Sequence, residues 1–168
     1  MVERGLAKSR SQAQSLIMAG RVYLDNSKLE KPGSQVGRDV AIEVRGKEYP
    51  WVSRGGLKLD HGLNHFCIDM LGATCLDIGA STGGFTDVLL ARGATSVYAV
   101  DVGHGQLDWK LRQDERVIVL ERTNARYLTS GAIPTPISFL CCDVSFISLM
   151  VVLPNSMAMV SEGGYLVA

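Results

Sequence analysis

Residues 75–87, with the sequence CLDIGASTGGFTD, restrict the fold of this chain more than any other stretch. An apolar run that ends at Ile78 predicts a short buried strand, and Gly79-Ala80-Ser81 predicts a tight turn into a helix that starts near Gly83. The N–H groups at the start of such a helix face whatever ligand lies in the turn. A strand, a turn of small residues and a helix in this order are typical of the crevice in a doubly wound α/β sheet.

An acidic residue at a suitable distance indicates a ribose-containing ligand in this crevice. The next apolar run, residues 96–100, predicts the second strand, and it ends at Asp101, about 20 residues after Gly79. An acid at the tip of the second strand is placed to accept hydrogen bonds from ribose hydroxyl groups. The glycine spacing differs from the dinucleotide pattern G-x-G-x-x-G, because Ser81 stands where the second glycine would be. A dehydrogenase is therefore the least favoured of the alternatives.

Two further polar residues follow later strands of the same predicted sheet. Residues 117–120 predict the third strand, and Asn124 lies in the loop after it, where this fold commonly places a polar group against adenine. Residues 136–142 predict the fourth strand, and Asp143 follows it directly. Because ligands bind outside the carboxyl ends of the strands in such sheets, we expect both side chains to reach the crevice. Residues 145–160 then predict a helix, for which Asp143 could alternatively serve as the N-cap.

The turn resembles the first motif of S-adenosylmethionine-dependent methyltransferases, because Asp77 stands two residues before Gly79. The ligand of those enzymes is a sulfonium amino acid joined to adenosine, with no phosphate group. The expected cofactor is therefore S-adenosylmethionine. The residues expected to bind it are Asp77, Gly79, Ala80, Ser81, Thr82, Gly83, Gly84, Phe85, Asp101, Val102, Asn124 and Asp143.

Charge and composition favour a nucleic-acid partner and exclude several protein classes. The net charge is zero, but residues 1–50 hold nine Lys and Arg against six Asp and Glu, whereas the remainder is acidic. A basic N-terminal part favours an anionic partner such as nucleic acid. No run approaches the ~18 apolar residues of a membrane span, and no signal-peptide pattern opens the chain. We therefore expect a cytoplasmic protein with no stable membrane association. The four cysteines lack metal-ligand spacing, so we also expect no metal.

Residues 1–47 predict a small α+β module. Ser9 is the expected N-cap of a helix that ends before Gly20, and short strands are expected at residues 21–24 and 40–44. This order, with the pattern GLAxSRxxAxxLIxxGxV at residues 5–22, resembles the S-four RNA-binding domain, which is named after a small-subunit ribosomal protein. The resemblance implies contacts with RNA phosphates, although a solvated basic helix face is the alternative. The residues expected to contact RNA are Lys8, Arg10, Arg21 and Lys31, together with Arg54 in the joint that follows.

Five segments together resemble the hemolysin A (TlyA) family, which is similar to FtsJ-type ribose methyltransferases. They are SRGGxKL at residues 53–59, DIGASTGGFT at 77–86, DVGxGQL at 101–107, ERTNAR at 121–126 and DVSFISL at 143–149. The resemblance implies a Rossmann-like, mostly parallel methyltransferase sheet after the S-four domain. It also implies 2′-O-methylation of ribosomal RNA, with ribosomal subunits as partners. The expected domains are residues 1–47 and 57–168, joined by a linker at 48–56.

The same resemblance implies two catalytic residues. In that family a Lys–Asp–Lys–Glu tetrad surrounds the attacking hydroxyl, and Lys58 matches the first Lys while Asp143 matches the Asp. A Lys beside other cations, or partly buried, has a lowered pKa and can act as a base. The second Lys and the Glu would follow Ala168, and residues are also expected before Val2. We therefore expect both domains to be incomplete and the chain to be part of a longer protein.

Two other functions stay open from the sequence. A non-catalytic RNA-binding or ribosome-assembly factor could retain this fold with only half of the tetrad. A membrane-active hemolysin would fit the family's historical name, but it requires an amphipathic or spanning segment that the sequence does not show. The modified nucleotide, the ribosomal subunit, the oligomeric state and which Lys takes the proton are left open as well.

Overall fold

The structure is a computed structural model that describes residues 1–7, 9–46, 49–133 and 136–168. These residues form two compact units, Met1–Pro50 and Trp51–Ala168. Lys8, which the sequence assigns to RNA contact, lies outside the described residues. Among the described residues, no helix combines the length and the apolar character that crossing a membrane requires.

The first unit combines one helix with a small antiparallel sheet, which agrees with the α+β prediction. Helix α1 spans Arg10–Met18, and the hydroxyl of Ser9 accepts a hydrogen bond from Gln12 N at 3.1 Å, as expected of an N-cap. Strands β1 (Val22–Leu24), β2 (Ser27–Lys28) and β3 (Ile42–Val44) are arranged in the order β2-β1-β3. Asp25 and Asn26 both have positive φ, the backbone state that a two-residue hairpin turn requires between β1 and β2.

The second unit is a five-stranded parallel sheet with helices on both faces, which confirms the predicted fold class. Its elements in chain order are α2 (Gly55–His65), β4 (Thr74–Ile78), α3 (Gly84–Ala91), β5 (Ser96–Val100), α4 (Trp109–Arg112), β6 (Val117–Leu120), β7 (Ile137–Cys142), α5 (Leu149–Met157) and β8 (Val160–Val167). The strand order is β6-β5-β4-β7-β8, and every neighbouring pair is parallel. The chain reverses its direction of winding between β4 and β7, and in such sheets a ligand crevice opens at that point.

Alternation along the central strands separates two hydrophobic layers. Cys75 of β4 packs in one layer with Leu59 of α2 and Leu89 of α3. Leu76, the next residue of β4, packs in the other layer with Val152 of α5. Successive side chains of a strand point to opposite faces, so this apolar run is buried on both sides, as in other parallel sheets. Packing in the two layers therefore fixes the positions of the ends of β4 and β7, where the crevice begins.

Two helices differ in length from the sequence prediction. The apolar residues Leu57, Leu59, Leu63 and Phe66 predict a helix over residues 57–70. Helix α2 ends at His65 instead, because Cys67 has φ +52° and cannot continue a right-handed helix. Helix α5 begins at Leu149, not at residue 145, because Phe146 has φ +65° and the hydroxyl of Ser148 accepts from Met150 N as the N-cap. Residues 144–148 are therefore a loop that follows Asp143.

The segment at residues 48–56, which the sequence treats as a linker, contributes in part to the second unit. Val52 N donates to Asp87 Oδ2 at 2.8 Å, and Asp87 belongs to α3. Helix α2 already begins at Gly55. A Cβ on Gly56 would lie 2.6 Å from Cγ of Trp51, so the indole packs directly on the helix backbone. Residues 51–56 are thus held by local packing that their composition does not reveal.

Helices α2 and α3 approach each other closely at Gly84, and we expect Gly84→Ala to be destabilising. A Cβ at this position would lie 2.9 Å from the backbone nitrogen of Gly56 and would also meet the hydroxyl of Ser53. Overpacking of this kind costs about 1–3 kcal/mol of unfolding free energy, measurable by urea denaturation. Gly62→Ala is the matched control, because its Cβ would lie 3.8 Å from Val167 Cγ1, and it should stabilise by about 0.4–1 kcal/mol. Equal changes in the two variants would contradict this packing.

Candidate functional site

A cavity of about 600 Å³ opens where the strands of the parallel sheet end. Its walls come from the residues that directly follow β4, β5, β6 and β7, together with the start of α2. A volume of this size is suited to one small-molecule ligand. Most of the predicted site residues line it, namely Lys58, Gly79, Ala80, Ser81, Thr82, Gly84, Phe85, Asp101, Val102, Asn124 and Asp143.

The turn after β4 brings its backbone against the loop after β7. Gly79 has φ +81°, and its N–H donates to Val100 O at 2.9 Å. A Cβ on Gly79 would lie 2.9 Å from Val144 Cγ1 and 3.0 Å from Asp143 O. Glycine is therefore required here both for its backbone conformation and for this close approach. This turn, residues 79–81, lines the cavity and is named here the Gly79 cradle.

Asp101 connects the two loops that frame the cavity. Its Oδ2 accepts from Ser81 N at 2.7 Å, and its Oδ1 accepts from Gly103 N at 2.7 Å. A carboxylate has about four acceptor positions, so two backbone bonds leave capacity for further donors such as ribose hydroxyls. The predicted position of this acid at the tip of the second strand agrees with the structure.

Lys58 and Asp143 form an ion pair in the cavity wall. Lys58 Nζ lies 3.1 Å from Oδ1 and 3.0 Å from Oδ2 of Asp143, although the two residues are 85 positions apart in the chain. Their side chains are 68% and 41% exposed. Exposed pairs of this kind add only about 0–1 kcal/mol to stability, so the pair contributes little to holding the fold. The two residues that the sequence assigns to catalysis are thus brought into contact in the same cavity as the Gly79 cradle.

Asp77 lies behind the turn, not in the cavity, although the sequence assigns it to the cofactor. Its side chain is only 1% exposed, and Oδ2 accepts from the hydroxyl of Thr86 at 2.7 Å. Burial raises the pKa of Asp77 to about 6, because the charged form is desolvated, while the bond from Thr86 lowers it in part. The contact ties β4 to the first turn of α3, so this acid supports the turn from beneath.

Gly83 also faces away from the cavity. It is the N-cap of α3 with φ +93°, and a Cβ there would meet the side chains of Leu107 and Leu111. These two leucines are buried in the core. Gly83 therefore allows α4 and its preceding loop to pack against the start of α3, and it does not line the cavity.

The buried carboxyl of Asp77 predicts a pH-dependent stability. The folded-state pKa of about 6 lies above the ordinary value of 3.8, so the folded state holds this proton more tightly than the unfolded state. The resulting stabilisation is complete below about pH 4 and is lost as the pH rises through about 6, for a total of about 3 kcal/mol. We expect Asp77→Asn, which keeps an acceptor for Thr86, to gain stability relative to the wild type across this window in urea unfolding.

Asp114→Asn provides the control of opposite sign. Hydrogen bonds from Arg116 lower the pKa of Asp114, so its pairing stabilises the protein as the pH rises. Because the pKa of Asp114 is below its ordinary value of 3.8, this variant should be less stable than the wild type by a nearly constant amount above about pH 4, and the difference should shrink only at lower pH. A difference between Asp77→Asn and the wild type that does not vary with pH would contradict the raised pKa of Asp77.

Asn124 has a dual position. It lines the cavity, and its Oδ1 accepts from Arg126 N at 3.0 Å, which caps the short 3-10 helix Ala125–Tyr127. Because the carbonyl oxygen holds the loop, the amide NH₂ is the group that can donate to a ligand. The side chain thus lies where the sequence expects a polar group, and its contact with adenine stays a prediction.

Sequence reasoning missed about half of the cavity lining. The additional lining residues are Ser53, Gly55, Ile78, Val100, Gln106, Thr123, Ala125, Val144, Ser145, Ile147 and Val152. Ser53, Gln106 and Ser145 lie within the segments that carry the family resemblance, so a signal for them was present. Val152 comes from the middle of α5, and its place depends on how that helix packs. No local pattern could have indicated it.

The predicted RNA-contacting residues differ in their surroundings. Arg10 at the start of α1 and Lys31 are exposed on the first unit, and Arg54 is exposed on the second. Arg21 is partly buried, and its Nε donates to Arg45 O at 3.1 Å, which links β1 to the end of β3. Its guanidinium group therefore has a structural role in addition to any contact with phosphate.

Comparisons with known proteins agree with this architecture. Over residues 1–42 the chain matches the S4 domain. It is 54% identical over 155 residues to the 16S/23S rRNA (cytidine-2′-O)-methyltransferase TlyA of Mycobacterium tuberculosis, a match that covers 92% of this chain and 58% of the relative. It is 44% identical over 151 residues to Hemolysin A of Brachyspira hyodysenteriae, covering 89% of this chain and 62% of the relative. The chain thus spans about three fifths of the length of these curated relatives.

A solved structure supports the same assignment. A hemolysin from Streptococcus thermophilus superposes with a TM-score of 0.73 at 43% identity, covering 98% of this chain and 61% of the other. The resemblance that the sequence predicted is therefore confirmed. Residues 51–162, which include the whole cavity lining and most of the parallel sheet, match the family described as FtsJ-like methyltransferase. Since this match extends over more than half of the sequence, the chain belongs to the FtsJ-like methyltransferase family.

Proposed function

We propose that this chain carries the cofactor site and part of the catalytic site of an S-adenosylmethionine-dependent methyltransferase that acts on ribose 2′-hydroxyl groups of ribosomal RNA. The observation that carries the proposal is the Lys58–Asp143 pair, which lies in the wall of the same cavity as the Gly79 cradle and Asp101. Methyl transfer to a hydroxyl needs a site that binds the nucleoside of the cofactor and charged groups that orient the hydroxyl. The proposal assigns the first task to the Gly79 cradle and Asp101, and the second to the Lys58–Asp143 pair.

The cavity suits S-adenosylmethionine in shape and in charge. Gly79, Ala80 and Ser81 line the cavity, and Asp101 offers acceptor positions for two ribose hydroxyls. Among the described lining residues, the charged ones are Lys58, Asp101 and Asp143, so carboxylates outnumber cations. This balance favours a ligand with a positive sulfonium and disfavours a pyrophosphate. When bound, S-adenosylmethionine supplies an electrophilic methyl group at that sulfonium.

The chain's own residues then have distinct tasks. Asp143 holds Lys58 Nζ through both carboxylate oxygens, which fixes the ammonium at one position in the wall. An ammonium at this position can orient a ribose hydroxyl and stabilise the negative charge that develops on its oxygen. Asp143 would also give the cavity negative potential, which favours a positively charged ligand. Lys58 and Asp143 are therefore proposed as the catalytic residues present in this chain.

The proposed substrate is ribosomal RNA, free or within a ribosomal subunit. The relative from Mycobacterium tuberculosis is named for 2′-O-methylation of cytidines in 16S and 23S rRNA. The S4 match covers the basic N-terminal part, where Arg10 and Lys31 are exposed. Basic side chains on such a surface give salt-dependent affinity for phosphates. Because ribosomes are its proposed partners, we place the protein in the cytoplasm.

The direct test is transfer of labelled methyl groups from S-adenosylmethionine to purified ribosomal subunits and to free rRNA by the full-length gene product. We expect label in RNA, located at ribose 2′-oxygens by resistance of the adjacent bond to alkaline hydrolysis. Binding of S-adenosylmethionine to the same protein is measured in parallel by calorimetry. Cofactor binding without transfer to any ribosomal RNA would overturn the proposed reaction and favour an RNA-binding assembly factor.

A further inference from the structure

The loop after β5, residues 102–106, forms one wall of the cavity and is named here the β5 loop. Val102 and Gln106 line the cavity, and Gln106 Oε1 accepts from the hydroxyl of Ser81 at 3.3 Å. Val102 is 69% exposed, so burial of its side chain does not hold the loop. Gly103 and Gly105 add backbone freedom. Such a loop needs polar anchors to keep its lining residues in place.

Glu121, the residue directly after β6, provides two of these anchors and also pairs with Arg112 of α4. Oε1 accepts from Gly105 N at 2.9 Å, and Oε2 lies 2.9 Å from His104 Nδ1. Arg112 Nη2 also donates to Oε1. The Glu121 side chain is only 12% exposed, and the hydrogen bond from Gly105 N is the main cause that lowers its pKa. The carboxylate is therefore ionised and fully engaged at neutral pH.

Arg112 extends the same network to the end of the β5 loop. Its Nε donates to Leu107 O at 3.2 Å, and its side chain is 25% exposed. The loop is thus fixed at Gly105 by Glu121 and just beyond its end by Arg112. Glu121, His104 and Arg112 do not belong to the cavity lining, so they do not contact a ligand there themselves.

We propose that Glu121 is a positioning residue that sets the affinity for S-adenosylmethionine by fixing the β5 loop. The inference rests on the proposed cofactor and goes beyond the cavity residues. Without the carboxylate, Gly105 N and His104 lose their shared acceptor, so the loop between the remaining anchors at Gly103 and Leu107 is held less tightly and Val102 and Gln106 are less firmly placed in the wall. The bound cofactor then has to order the loop, which weakens binding. The Lys58–Asp143 pair lies on other elements, so the chemical step is not changed.

The test is cofactor binding and kinetics of Glu121→Ala in the full-length gene product. We expect the dissociation constant for S-adenosylmethionine and its KM to rise roughly tenfold, with kcat at saturating cofactor within about twofold of the wild type. Glu121→Asp keeps the charge and should recover part of the affinity. Asp114→Ala is the matched control, because Asp114 also pairs with an arginine, Arg116, but lies outside the cavity lining. Its affinity should equal that of the wild type.

The outcomes separate this inference from the proposed function. If the wild type does not bind S-adenosylmethionine, the proposed cofactor is wrong. If the wild type binds and Glu121→Ala binds equally well, only the role of Glu121 is overturned. A loss of kcat at unchanged KM also overturns it. If Glu121→Ala does not fold, the same measurement is made on His104→Ala. This variant removes one of the contacts between the loop and Glu121, and the His104 side chain is 63% exposed, so the fold should tolerate the change. A roughly threefold loss of affinity then supports the role, and an unchanged affinity overturns it.

Discussion

Replacement of Lys58 by alanine is expected to reduce methyl transfer to ribosomal RNA by about 10²–10⁴-fold. The ammonium is held by both oxygens of Asp143 at 3.1 and 3.0 Å and lies in the cavity wall. Its removal takes away the charge that orients and stabilises the reacting oxygen. The loss should appear in kcat, measured with labelled cofactor under saturating conditions. Stability should change by no more than about 1 kcal/mol, because the pair is exposed.

Lys110→Ala is the matched control for this experiment. Lys110 also forms an ion pair with an aspartate, since Nζ lies 2.9 Å from Asp87 Oδ1, and its side chain is 56% exposed. It does not line the cavity. We expect Lys110→Ala to retain wild-type transfer and both variants to bind S-adenosylmethionine with similar affinity. Equal activity of Lys58→Ala and the wild type would remove Lys58 from the catalytic site.

Replacement of Asp101 by alanine is expected to weaken binding of S-adenosylmethionine by about 10²–10⁴-fold. The carboxylate accepts from Ser81 N and Gly103 N, each at 2.7 Å, and offers further acceptor positions toward the cavity. The variant therefore leaves two backbone N–H groups without this acceptor and removes the expected bonds to ribose. Isothermal titration calorimetry measures the change directly. Asp101→Asn keeps one acceptor oxygen, and we expect an intermediate affinity.

Asp108→Ala controls for the loss of a loop carboxylate near the same cavity. Asp108 Oδ1 accepts from Lys110 N at 3.0 Å and caps α4, outside the cavity lining. Its removal should cost about 0.5–2 kcal/mol of stability without altering cofactor affinity. If Asp101→Ala and Asp108→Ala weaken binding equally, the effect is a general disturbance of the region, and a direct role of Asp101 is excluded.

The location of the Lys58–Asp143 pair illustrates why function and stability are separable here. The core of the second unit rests on fully buried side chains such as Leu59, Leu140 and Phe139, which fix α2 and β7. Lys58 precedes Leu59 in α2, and Asp143 follows Cys142 at the end of β7. Packing of the apolar neighbours therefore brings the two polar side chains together, and the exposed pair itself adds little to stability. Substitution of either residue should leave the fold intact.

Much of the local structure followed from the sequence alone. The second and third strands of the parallel sheet lie at Ser96–Val100 and Val117–Leu120, as the apolar runs predicted. Gly79 and Asp101 were indicated by their distance in the chain, because the strand–turn–helix unit fixes that distance through local backbone geometry. Lys58 and Asp143 were identified by family resemblance. These features depend on residue types and on short distances along the chain, both of which can be read from the sequence.

Only the tertiary structure decided which side chains face the cavity. Asp77 and Gly83 lie in the same motif as Gly79, yet one is buried against Thr86 and the other faces Leu107 and Leu111. The direction of each depends on how α3 and α4 pack on the sheet, and that packing joins residues distant in sequence. The same holds for Glu121, whose three contacts come from the β5 loop and α4. Spacing predicted where the site lies, whereas packing determined its walls.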